Sequence, residues 1–142
     1  MTRSDSTLKK LRILLVEDSF DALNLIKNMM QDVGITQIYT ARDGKEALDF
    51  LGAFDGEDMI DVVLCDWNMP RMTGLELLRQ IRTCDPHLPF LMITGAADTD
   101  SVSRAKYAGV TGYIKKPFSA EQLRKKLDVM VRIIAHRERK SA

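Results

Sequence analysis

The sequence predicts an α/β fold, a (βα)5 arrangement with five parallel strands in one doubly wound sheet. Three observations carry this prediction. Apolar runs and amphipathic stretches alternate five times along the chain. The strongest runs, Val62–Cys65 and Phe90–Ile93, are uninterrupted, as in strands buried on both faces. The helical stretches between them are of ordinary length, which suits crossovers that cover both faces of a parallel sheet. Those crossovers are expected to be right-handed. The pattern itself leaves strand order open.

Taken in order, Met1–Lys10 is polar and without period, and is expected to be a flexible arm. Leu11–Val16 reads as the first strand and ends in Glu17-Asp18-Ser19. Phe20, Leu23, Ile26, Met30 and Val33 then mark one face of a helix that Gly34 stops. Ile35–Ala41 is a short strand, and Asp43-Gly44 leads into a helix carrying Ala47, Leu48 and Leu51. Gly52–Asp58 reads as loop before the central strand Ile60–Cys65.

That strand ends in Asp66 and turns through Asn68, Pro70 and Gly74. Leu75, Leu78 and Ile81 mark the next helix, ended by Asp85-Pro86. Phe90–Ile93, closed by Thr94-Gly95, is the fourth strand, and Asp98–Ala108 is a more polar helix. Thr111–Ile114 is the fifth strand. A last helix begins behind Ser119, with Leu123, Leu127, Met130 and Ile134 on one side. The boundaries are thus an arm over 1–10, one domain over 11–135 and a basic tail over 136–142.

At 142 residues the chain can build one domain with a real core but not two of ordinary size. A 45% hydrophobic and 29% charged composition suits a soluble globular protein. Arg124–Ala142 holds seven Lys/Arg against two Asp/Glu, leaving 14 against 18 before it. Such a basic end suits a helix C-terminus, and nucleic acid is not expected as a partner. Cys65 and Cys84 have neither metal-ligand spacing nor a disulfide framework, which points to a reducing compartment. No stretch has the roughly 20 apolar residues of a membrane helix, so no membrane insertion and a cytoplasmic location are expected.

In a parallel sheet all strand carboxyl ends share one edge. That edge collects Glu17, Asp18, Asp66, Thr94 and Lys116. Crowded carboxylates repel unless a cation joins them, and hard oxygen ligands suit Mg2+. Lys116 supplies a point charge for an anionic group such as phosphoryl, and Thr94 adds a hydroxyl beside Gly95. These are the parts that phosphoryl transfer uses. Each has a blander reading: Glu17-Asp18 or Asp66 as a helix cap, Thr94 as a plain strand end, Lys116 as a surface lysine.

Glu17-Asp18, Asp66-Trp67-Asn68-Met69-Pro70, Thr94-Gly95 and Lys116-Pro117-Phe118 together resemble the receiver domain of two-component response regulators. Gly74-Leu75-Glu76-Leu77-Leu78 brings the likeness close to the single-domain CheY-like type, and the match spans about Leu11 to Val131. The resemblance implies a flavodoxin-like strand order 2-1-3-4-5, for which CheY is itself a standard example. It makes Asp66 the phosphoacceptor, served by a histidine kinase, a phosphotransfer protein or a small phosphodonor.

By the same resemblance Glu17, Asp18, Asp66 and the Asn68 backbone oxygen hold Mg2+, for which Mn2+ can substitute. Lys116 binds a phosphoryl oxygen, with Thr94 and the Gly95 backbone nitrogen beside it, and the Lys116–Pro117 peptide is cis. Thr94 and Tyr113 form the switch. They lead to an output face of the fourth helix, fifth strand and fifth helix of the alternating pattern, near Lys106, Tyr107, Gly109, Val110 and Thr111. A separate effector protein, in chemotaxis, at a flagellar motor or in another phosphorelay, and a phosphorylation-dependent dimer are further expectations.

Glu17, Thr73 and Ala96 depart from the chemotaxis pattern, and Ala96 bears on self-dephosphorylation. The competing class is a small Mg2+-dependent phosphatase with Asp66 as nucleophile. Such enzymes place a second acid two residues on, where this chain has Asn68.

Overall fold

The computed structural model describes residues 3–53, 60–95 and 98–141. Strands β1 (Arg12–Val16), β2 (Gln37–Ala41), β3 (Val62–Asp66), β4 (Phe90–Thr94) and β5 (Gly112–Lys115) form one sheet in the order β2-β1-β3-β4-β5. All four pairings are parallel. The expected fold class and strand order are both found.

Alternation along each strand divides the core in two. Ile13 and Leu15 of β1 join Leu64, Leu91, Ile93 and Ile114 in the cluster under helices α2 (Phe20–Asp32) and α6 (Ala120–Ser141). Leu14 and Val16 join Val63, Cys65 and Met92 in the cluster under α3 (Gly44–Gly52) and α4 (Gly74–Cys84). Every residue of β3 and β4 is buried, as their uninterrupted apolar runs require.

Helix α5 (Thr99–Tyr107) is the exception, with Ala105 as its one buried residue. Its ends are set locally. Asp98 accepts a hydrogen bond from Ser101 N at 2.7 Å, and Gly109 takes a positive φ of 92° just past the helix.

The N-terminal boundary differs from expectation. The aperiodic N-terminal arm contains a helix, α1 (Arg3–Lys10), that packs on α6 with Leu8 fully buried. The side chains of Thr36 and Gln37 bind the carbonyls of Lys9 and Lys10, closing its end against β2. Helix α6 runs on through the basic end to Ser141. Ala96 and residues 54–58 of the expected loop lie outside the described residues.

Candidate functional site

The bland readings of the acidic residues fail on helix capping. Ser19, not Glu17 or Asp18, caps α2 by accepting from Ala22 N, and Thr73, not Asp66, caps α4 through Glu76 N. The acids are therefore available for other work.

Parallel register brings them together. Glu17 lies one residue past β1 and donates its N–H to Ala41 O, which extends the ladder to β2. Asp66 is the last residue of β3, and Trp67 N donates to Ile93 O of β4. Glu17, Asp18 and Asp66 each present an oxygen within 4.8 Å of the others. Glu17 is 1% exposed and Asp66 5%, while Asp18 is half-buried at the rim.

Lys116 faces this cluster, with Nζ 3.3 Å from Asp66 Oδ1 and 3.9 Å from Glu17 Oε2. Its N–H donates to Thr94 O, and the Lys116–Pro117 peptide that follows is cis. Thr94 is buried at the end of β4 and is paired in register with Lys115.

One cation cannot satisfy three carboxylates. Glu17 Oε2 is buried without a hydrogen-bond partner, and Lys116 Nζ is too distant to supply one. Burial, and then the negative charge of Asp66, push Glu17 up from 4.5 to about 7. An orphaned buried oxygen inside an all-oxygen donor set fits a hard divalent cation such as Mg2+. Glu17, Asp18 and Asp66 are the side chains that would hold it.

The turn after Asp66 is tightly closed. Gly74 N donates to Trp67 O at 2.8 Å, and a Cβ on Gly74 would stand 2.5 Å from Asp66 O, so only glycine fits. Arg71 takes a left-handed φ of 66° and pairs with Asp43, the cap of α3. Asn68 is exposed on this turn. A Cβ at Gly95 would meet nothing within 4 Å among the described residues.

Three contacts were invisible in the sequence because they join residues far apart in the chain. Arg42 Nη2 binds Asp18 O at 3.1 Å, steadying the rim acid. The Arg104 guanidinium lies 5.9 Å from the Trp67 ring centre, and Lys126 Nζ lies 5.5 Å from that of Tyr113. Tyr113 is half-buried. Of the residues expected on the output face, Tyr107 is 95% exposed, and Lys106 and Gly109 are also exposed. Val110 and Thr111 are half-buried, and the Thr111 hydroxyl is engaged in accepting from Phe90 N.

A doubly wound sheet with three acids and a lysine at its carboxyl edge defines the class. The chain belongs to the response regulator receiver domain family, whose sequence profile matches residues 13–128. Within it the chain is CheY-like. It is 41% identical over 120 residues to the chemotaxis protein CheY of Pseudomonas aeruginosa, covering 83% of this chain and 94% of that protein. It is 43% identical over 122 residues to CheY-3 of Vibrio cholerae, covering 84% and 91%.

The solved structure of the chemotaxis protein CheY4 of Vibrio cholerae superposes with a TM-score of 0.76 at 33% identity, covering 84% of this chain and 98% of that one. Membership makes this chain a phosphorylation-activated signalling switch rather than a conventional enzyme. Among the described residues no helix is long and apolar enough to cross a membrane.

Proposed function

We propose that Asp66 accepts a phosphoryl group from a phosphohistidine on a separate histidine kinase or phosphotransfer protein, in the cytoplasm. The observation that carries this reading is the buried Asp66 carboxylate, flanked by Glu17 and Asp18 and 3.3 Å from the Lys116 ammonium. An Asp66 carboxylate oxygen attacks phosphorus as the donor's N–P bond breaks, and the electron pair leaves with the imidazole. Mg2+, or Mn2+ in its place, supplies neutralisation of charge on the phosphoryl oxygens when bound.

Lys116 stabilises the oxygens that gain charge, and its fixed backbone contact to Thr94 keeps it in place without reorganisation. The Thr94 hydroxyl and the Gly95 N–H receive the product phosphoryl group, and the Asn68 carbonyl completes the metal site. The added charge biases a two-state equilibrium. Thr94 and Tyr113 carry it to the face of α5, β5 and α6, where Lys106, Tyr107, Gly109 and Val110 meet a separate effector protein. The relatives' names point to chemotaxis as the setting.

Acetyl phosphate with Mg2+ should label the protein once, and Asp66→Asn should abolish the label. Labelling that persists in that variant would move the acceptor elsewhere.

A further inference from the structure

We propose that Arg104 is a positioning residue for the switch, tethering α5 to the acceptor turn through the face of Trp67. This rests on Asp66 being the acceptor. Trp67 follows Asp66 directly, and both its backbone groups are engaged, the N–H by Ile93 O and the carbonyl by Gly74 N. The backbone is therefore fixed, and the half-buried indole is the part able to respond when Asp66 changes charge.

Helix α5 needs such a tether because Ala105 is its only buried residue and gives it little apolar anchorage. Its far end is held by another arginine from α4. Arg82 donates from Nε to Gly109 O at 2.9 Å and from Nη1 to Asp85 O at 3.1 Å. Arg82 thus fixes the turn after α5, while Arg104, exposed on the helix itself, holds its body to the turn that carries the acceptor.

A cation over an indole is a favourable but weak contact at an exposed site. Such a contact resists movement of α5 away from the acceptor turn, so a phosphorylation that shifts the helix has to break it. A contact made in one state and lost in the other shifts the equilibrium by its own strength.

The test uses the full chain and its single tryptophan. Arg104→Ala should make Trp67 more accessible to acrylamide quenching without ligand. It should also tighten binding of beryllofluoride with Mg2+ by about two- to fivefold. Arg104→Lys keeps a cation over the ring and should restore both values towards wild type. Unchanged quenching, or changed quenching with unchanged or weaker beryllofluoride binding, would overturn the proposal. Failure of the wild-type protein to bind beryllofluoride would instead refute the acceptor reading, and the quenching arm alone would then judge the contact.

Discussion

Among single residues, Glu17 is the odd member of the acidic cluster. It is buried, holds an unpartnered oxygen and titrates near 7. An unfolded chain releases that proton near the ordinary value of 4.5. Between those two pH values the folded state therefore binds more protons than the unfolded one, and stability falls as pH rises. In a metal-chelating buffer the melting temperature should drop across this window, and Glu17→Gln should flatten the drop. A slope that survives the substitution would assign the proton to another group. Millimolar Mg2+ should recover stability above the window, because the ionised carboxylates are its ligands.

The residues of this site were legible because each stands at the end of an apolar run, and a parallel sheet collects such ends on one edge. Their roles were not. Spacing along the chain does not distinguish a buried Glu17 with an orphaned oxygen from a half-buried Asp18 one position later. It gives no hint of Arg104, which meets Trp67 only through the fold. Carboxylates, lysine and threonine carry their chemistry in their type, whereas a ring-face contact depends on placement alone.

At the scale of elements, the strands and the five helices that follow them announce themselves by period, and apart from α6, which runs on to Ser141, the structure moves their ends by a residue or two. Helix α1 does not. Its eight residues, Arg-Ser-Asp-Ser-Thr-Leu-Lys-Lys, offer one large apolar side chain and no repeat. A segment that short is marginal alone, and packing on α6 supplies what propensity does not. Leu8→Ala should then cost about 2–5 kcal/mol in chemical denaturation, as for any large-to-small change in a core. A cost near zero would show that α1 does not stay docked in solution. Strand order likewise came from family resemblance, because period says which segments are strands but not which are neighbours.

At the scale of the molecule, the two clusters share one sheet, so events at its carboxyl edge act on the stability of the whole. A ligand that binds only the folded state stabilises it by mass action. Beryllofluoride with Mg2+, at a hundred times its dissociation constant, should add about 2.7 kcal/mol to the unfolding free energy. Thermal denaturation would read this as a raised midpoint that Asp66→Asn does not show. A rise of equal size in that variant would mean that the anion binds away from the acceptor.

The strand order has one more consequence, for how copies of this protein meet at high concentration. It leaves β2 and β5 as the sheet's borders, where an incoming chain could zip on through backbone hydrogen bonds. β5 is only four residues long and ends in exposed Lys115, and Pro117 just beyond it has no N–H to offer. β2 presents exposed Gln37 and Thr40, and Gln37 is itself tied back to α1. A short border, a charge and a missing donor discourage the strand-to-strand growth that leads to fibres. Recognition between copies, or with a partner, is left to side chains on the helices, where it can be reversed each time the signal ends.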